Sequence, residues 1–302
     1  YINNRTNSFV RDNVLYLKPT LTSDRLGVQQ VSGAIPTTLD IWGGNPSDSC
    51  TSNAFYGCSR SSGGGNIINP IQSARLRTAT TFSFKYGRLE VEAKMPKGDW
   101  IWPAIWLLPE ENAYGLWPAS GEIDLVESRG NDVSYSAGGV NCFGSTLHWG
   151  PYWPDDPYAL THAEYCLSNG KTLNDDFHTY GLVWNENEMY TYIDSPSNRV
   201  LDLKMDQSFW ERGGWSKNPN LANPWEGQGK NAPFDQKFFL IFNVAVGGVA
   251  GYFPDGVGNK PWSDTSSNAA SQFYAQIDTV TKTWDLVGTE SAMAIRSVKV
   301  WQ

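Results

Sequence analysis

Helical periodicity is nearly absent from this sequence, and so are long apolar runs. No apolar stretch approaches the ~18 residues that a membrane span requires, so we expect no association with a membrane. Basic clusters are missing as well, because 23 lysines and arginines face 31 aspartates and glutamates, a net charge of −8. That balance opposes binding of a polyphosphate and argues against a nucleic-acid partner. No secretory signal pattern is present, and we expect a mature secreted, extracellular monomer whose signal has been removed.

Cysteine is scarce, and its spacing fits no zinc-binding pattern. Four cysteines form two couples that are local in sequence, namely Cys50 with Cys58 and Cys142 with Cys166. Of the three connectivities that four cysteines allow, this local pairing is the one we favour. Four buried free thiols are the alternative.

Aromatic residues, in contrast, are abundant: the chain has 14 Trp, 14 Tyr and 13 Phe. Some of these rings must build the core, but so many also suit a surface that stacks on flat apolar faces. Sugar rings and nucleic-acid bases both offer such faces, and the negative charge disfavours the bases. The composition therefore favours a neutral ligand that stacks on aromatic side chains.

Short runs rich in Val, Ile, Thr, Tyr, Phe and Trp alternate with Gly, Pro, Asn and Ser clusters, which predicts an all-β sandwich or barrel. The predicted strands cover residues 14–18, 71–77, 87–94, 101–108, 121–127, 145–148, 177–184, 189–193, 237–244 and 294–301. Three segments read as long loops: 43–65, 150–174 and 213–233. Since the strands around each loop need one another to complete a sheet, we expect one domain over residues 1–302.

Three carboxylates lie within six residues, at Glu122, Asp124 and Glu127. In a strand Glu122 and Asp124 share a face, whereas Glu127, five residues after Glu122, would point away. One extra residue at Leu125 and Val126, a β-bulge, would return Glu127 to the common face. The spacing therefore predicts a bulged strand that directs three acids into one space.

Paired carboxylates are the minimal equipment for glycoside hydrolysis, and crowding them must raise at least one pKa. We expect the outer Glu127 to be the one kept protonated. A solvated acidic face and a calcium site are the alternatives. Both are opposed by the density of aromatic residues just upstream: Trp100, Trp102, Trp106, Tyr114 and Trp117.

Residues 102–109 (WPAIWLLP) and 117–127 (WPASGEIDLVE) together resemble the active-site region of glycoside hydrolase family sixteen. The Glu-x-Asp-x-x-Glu spacing is similar to that of its laminarinase-like, endo-β-1,3-glucanase branch. The resemblance extends over nearly the whole chain through residues 86–90, 177–180, 243–248, 252–255 and 297–301. Further segments look most like eukaryotic members, including animal β-glucan recognition proteins: 223–225, 232–235 and 260–262.

This resemblance implies a jelly-roll sandwich of two antiparallel sheets with a concave cleft for a β-1,3-glucan, and no cofactor. It also implies a retaining mechanism in which Glu122 attacks the anomeric carbon. Glu127 would protonate the leaving oxygen and then activate water, while Asp124 would hydrogen-bond the nucleophile. A non-catalytic β-glucan recognition protein and a glucan transglycosylase are the alternative functions.

Four further residues match positions that the resemblance places in the cleft: Trp106, Trp117, His148 and Asn243. Arg75, in the predicted strand 71–77, is a further candidate for the site. The tryptophans would stack on sugar rings, although each could instead be an ordinary core residue. His148 could equally be a structural histidine, Asn243 part of a buried polar network, and Arg75 a partner of an acid in the sheet. Many relatives bind a structural calcium through an aspartate where this chain has Arg296, so we predict no metal there.

Overall fold

A computed structural model describes residues 1–41, 50, 56–218 and 220–302 of the protein. Two antiparallel sheets contain most of its strands. In chain order, β1 to β17 are Ser8–Arg11, Val14–Leu17, Thr20–Leu21, Thr38–Asp40, Ser59–Ser61, Ile71–Gln72, Arg75–Arg77, Gly87–Lys94, Ile101–Pro109, Glu122–Ser128, Cys142–His148, His162–Cys166, His178–Trp184, Glu188–Ile193, Arg199–Lys204, Phe238–Val246 and Met293–Trp301. The all-β prediction is confirmed.

One sheet has seven strands in the order β1-β2-β17-β8-β13-β14-β15. Strand β8 shows why it forms: Leu89, Val91 and Ala93 are fully buried and alternate with partly exposed polar residues. This period of two places one face of the strand on the core and leaves the other in water.

The second sheet, called the site sheet below, has the order β12-β11-β10-β9-β16-β7. Its longest ladder is the antiparallel pair of β9 with β16, in register from Ile101 and Val246 to Pro109 and Phe238. Large buried rings fill the space between the two sheets, among them Tyr180, Trp184, Phe234 and Phe238. The two-strand pairs β3-β6 and β4-β5 lie outside these sheets.

Helices are few and short, as the lack of helical periodicity predicts. The α-helices α1 to α5 are Thr22–Leu26, Val28–Ser32, Phe209–Arg212, Ala269–Ala275 and Ile277–Val280. Short 3-10 helices cover Tyr158–Thr161, Trp215–Lys217 and Thr281–Thr283. Over the described part of the chain, none of these helices has the length and hydropathy needed to cross a bilayer.

The prediction that residues 150–174 form only a loop is wrong, because the segment contains a 3-10 helix and the edge strand β12. Strand β12 pairs with β11, and Cys142 lies directly opposite Cys166. His162, Glu164 and Cys166 are exposed while Ala163 and Tyr165 are partly buried. The strand could not be predicted from the sequence, because an edge strand with polar residues on its exposed face has few of the apolar residues that mark a strand.

The other two predicted loops are also partly structured. Strand β5 lies within residues 43–65, of which 43–49 and 51–55 fall outside the described residues. A 3-10 helix lies within residues 213–233, of which Pro219 falls outside them. The structure contains the two disulfides that local pairing predicts, Cys50–Cys58 and Cys142–Cys166.

Candidate active site

Strand β10 carries the three acids and is bulged where the spacing predicts. Asp124 lies opposite Trp106 of β9 and Glu127 lies opposite Ala104, so three steps along β10 match two steps along β9. The pairing with β11 shifts over the same interval. The extra residue places Glu127 on the face of the site sheet that Glu122 and Asp124 also occupy.

The residues between the acids anchor β10 in the core. Ile123, Leu125 and Val126 are fully buried. Asp124 is buried too, with 3% of its surface exposed, while Glu122 and Glu127 are partly exposed. A solvated acidic face would not bury a carboxylate in this way, so that alternative is excluded.

Each outer glutamate accepts a hydrogen bond from an indole. Trp117 Nε1 donates to Glu122 Oε2 at 2.8 Å, and Trp102 Nε1 donates to Glu127 Oε1 at 2.9 Å. Since an indole N–H can only donate, each bond fixes one carboxyl oxygen as an acceptor and leaves the other oxygen free for chemistry.

His148 lies beside the acids, because it pairs with Glu122 across β10 and β11. Its Nε2 is 3.2 Å from Asp124 Oδ2, and its Nδ1 is 2.6 Å from Asp156 Oδ2. Burial lowers the pKa of His148, but the adjacent carboxylates of Asp124 and Asp156 and the charge of Glu122 outweigh it and raise the pKa to about 11. His148 is therefore an imidazolium at neutral pH, held between two buried aspartates.

The pKa values of both glutamates are raised. Burial and the nearby charge of Asp124 raise the pKa of Glu127 to about 8. The same two causes, in the same order, raise the pKa of Glu122 well above its ordinary value. The imidazolium of His148 opposes both shifts, and the charge of Glu122 in turn helps to keep His148 protonated. The site thus holds at least one neutral glutamate at neutral pH.

Glu122, Asp124 and His148 form a cluster whose polar atoms could in principle hold a metal ion. An imidazolium has no free lone pair, and both nitrogens of His148 already face carboxylates, so the cluster in this protonation state does not suit a cation. On the other sheet, Arg296 Nη1 contacts Glu92 Oε1 at 2.6 Å and its guanidinium lies over Phe177. The absence of a metal site at Arg296 remains a prediction.

Arg75, Trp106 and Asn243 are brought together next to the acids. The guanidinium of Arg75 lies 4.7 Å from the centre of the Trp106 ring, and Trp106 Nε1 donates to Asn243 Oδ1 at 2.6 Å. The strand register places Arg75 and Asn243 in one row across the site sheet with Glu127. From edge to edge the row is Arg75, Asn243, Ala104, Glu127, Gly144 and Glu164. The predicted cleft residues therefore share one surface.

Trp106, Trp117 and Glu122 line a common cavity of about 340 Å³ on the Glu122 side of the site. Its other walls include Leu108, Pro109 and Phe239. An apolar cavity with a carboxylate on one wall is a suitable binding place for a small ring-shaped group.

Several residues of the site were not predicted from the sequence. Trp102 alternates with Ala104 and Trp106 along β9, and this period of two could have placed it beside Glu127. Tyr252 stacks on Trp102 with ring centres 3.9 Å apart. Asp156 belongs to the segment 150–174 that the sequence predicts as a loop, and no local pattern marks it as the partner of His148.

The chain is similar to a known protein family and to proteins of known name. The family model described as Glycosyl hydrolases family 16 matches residues 59–221. A Beta-1,3-glucan-binding protein of Penaeus monodon is 50% identical, over 100% of this chain and 81% of its own length. Glucan endo-1,3-beta-glucosidase A1 of Niallia circulans is 36% identical, over 58% of this chain and 22% of its own length.

Among solved structures, the laminarinase catalytic domain of Thermotoga maritima aligns with a TM-score of 0.58 at 22% identity. The alignment covers 99% of this chain and 81% of the bacterial one. This likeness confirms the jelly-roll sandwich that the resemblance implies. The fold, the matched family model and the Penaeus relative, which matches the whole of this chain, agree, and the chain belongs to glycosyl hydrolase family 16.

Proposed function

We propose that the protein is a secreted, endo-acting β-1,3-glucan hydrolase that retains anomeric configuration. The observation that carries the proposal is the bulge in β10, which places Glu122 and Glu127 on one face with the buried Asp124 between them. A strand that served only to build the sheet would not need three carboxylates on one face beside a charged histidine. The described residues would form one catalytic domain.

In the first step Glu122 attacks the anomeric carbon of the sugar, and the glycosidic bond breaks. The leaving oxygen takes the proton of Glu127, which lies on Oε2 because Oε1 accepts the Trp102 N–H. Glu122 is the better candidate for the ionised partner, since it lies opposite the imidazolium of His148. The product of this step is a glycosyl-enzyme ester on Glu122.

In the second step a water molecule attacks the same carbon and gives its proton to Glu127. The ester bond to Glu122 breaks, and the second inversion restores the original configuration. If a sugar hydroxyl took the place of water, the same site would act as a transglycosylase.

A non-catalytic β-glucan recognition protein is the second candidate, and the Penaeus relative, named a Beta-1,3-glucan-binding protein, favours it. The Niallia relative, named a glucan endo-1,3-beta-glucosidase, favours the enzyme. Both names support β-1,3-glucan as the ligand. The complete set of Glu122, Asp124 and Glu127 decides our choice, because affinity alone would not require these acids. The two disulfides suit an extracellular setting.

The Glu122→Gln variant tests the proposal, with the exposed Glu226→Gln as the matched control. Release of reducing ends from a linear β-1,3-glucan should be abolished in Glu122→Gln and unchanged in the control. Retention on insoluble β-1,3-glucan should persist in both, because the neutral amide keeps the shape of the site. Full hydrolysis by Glu122→Gln would show that the nucleophile is assigned wrongly.

A further inference from the structure

An exposed tryptophan, Trp153, extends the aromatic surface of the site beyond Trp106 and Trp117. Trp153 is 67% exposed, yet its ring centre lies 5.5 Å from that of Trp117. Trp117 is itself 37% exposed and donates to Glu122. Exposed single tryptophans are unremarkable, but one that continues an aromatic surface from a proposed nucleophile suggests a binding role.

The segment that carries Trp153 is fixed to the site by a buried carboxylate. Asp156 Oδ2 lies 2.6 Å from His148 Nδ1, and Asp156 Oδ1 accepts from the backbone N–H of Trp149 at 3.2 Å. The bridge between Tyr152 and Asp155 closes the turn around Trp153. The side chain of Asp156 is only 6% exposed. Trp153 is therefore held in place relative to the catalytic strands, although its own ring faces water.

The geometry suits two different sugars of one wound chain. The planes of Trp117 and Trp153 are inclined by 38°. A β-1,3-linked glucan winds, so its consecutive ring faces turn relative to one another, whereas a flat chain would call for coplanar rings. A sugar bonded to Glu122 would lie near Trp117, and the chain would continue towards Trp153.

We propose that Trp153 forms an additional sugar-binding position on the Glu122 side of the cleft and stacks on a glucose unit remote from the cleavage point. This inference rests on the proposed function, because it assumes that a β-1,3-glucan occupies the cleft. Trp153 contributes to affinity for long chains, and Asp156 is the positioning residue that holds its turn against His148.

The test measures binding rather than turnover, so it does not depend on catalytic activity. Glu122→Gln serves as the parent, and Trp153→Ala is added to it. The matched control is Trp301→Ala, which removes another exposed tryptophan, on β17 of the other sheet. Isothermal titration calorimetry with β-1,3-linked gluco-oligosaccharides, from the disaccharide to the hexasaccharide, gives the affinities.

We expect Trp153→Ala to weaken binding of the hexasaccharide by roughly three- to tenfold, the range of one lost aromatic contact. Binding of the disaccharide, and all binding by the Trp301→Ala control, should be unchanged. Unchanged hexasaccharide affinity, or an equal loss for both lengths, would overturn this inference alone. If the parent bound none of the oligosaccharides, the proposed function would fail and this inference with it.

Discussion

At the scale of single residues, the site contains more carboxylates than its nearest cation, His148, can neutralise. His148 is protonated and faces the buried Asp124, while the two outer glutamates remain close by. Burial and the charge of Asp124 raise the pKa of Glu127 to about 8 and that of Glu122 well above its usual value. A site of this kind keeps one carboxyl neutral and ready to donate a proton at neutral pH.

The rate of hydrolysis should depend on pH as a bell. It should fall as pH rises through about 8, because Glu127 then loses the proton that the leaving oxygen requires. It should also fall in acid, where Glu122 becomes protonated and can no longer attack. Initial rates at low substrate in a series of buffers would show this, with pre-incubation at each pH as the control for unfolding. A rate that stays constant from acid to alkaline pH would contradict the role of Glu127.

The Glu127→Gln variant should gain stability relative to the native protein as pH rises. Since the pKa of Glu127 is raised from 4.5 to about 8 on folding, the folded state binds this proton more tightly than the unfolded state. The stabilisation from that proton is complete at acid pH and is lost between about pH 4.5 and pH 8. Glutamine does not titrate and so avoids this loss. The melting temperature of Glu127→Gln minus that of the native protein should therefore increase between about pH 4.5 and pH 8. A difference that is equal at pH 4 and pH 9 would count against the shifted pKa.

At the scale of elements, the register of the site sheet assembles the site. The odd spacing from Glu122 to Glu127 is enough to predict the bulge, because side chains alternate along a strand with a period of two. Strand β12 and the position of Asp156 could not be predicted in this way. Strand β12 lies at the edge of the sheet, and its exposed polar residues alternate with residues that are only partly buried. Asp156 acts through a contact with His148 that the local sequence does not encode.

The disulfide Cys142–Cys166 should stabilise the edge of the site sheet. It joins directly opposed residues of β11 and β12 that are 24 apart in sequence. Replacing both by alanine should lower the free energy of unfolding by about 3 kcal/mol, through the greater entropy of the unfolded chain. The matching double variant of Cys50 and Cys58, with a separation of 8, should lose about 1 kcal/mol less. Denaturant titration would measure both, and an equal or reversed order would contradict the loop-length argument.

At the scale of the whole molecule, composition predicts the class of ligand better than the details of binding. A net charge of −8 together with 14 tryptophans favours a neutral ligand that stacks on rings. Trp106 and Trp117 line one cavity, as a stacking role for both would require. The extension through Trp153 depends on the tertiary path of residues 150–174, and therefore needed the structure.

Retaining hydrolysis of β-1,3-glucan by Glu122 and Glu127 is tested most directly by incubating the protein with a linear β-1,3-glucan. The anomeric configuration of newly formed reducing ends is recorded by proton NMR, before mutarotation. We predict short oligosaccharides whose reducing ends are at first in the β configuration. Ends that are at first in the α configuration would contradict the covalent mechanism, and a lack of new reducing ends would contradict hydrolysis itself.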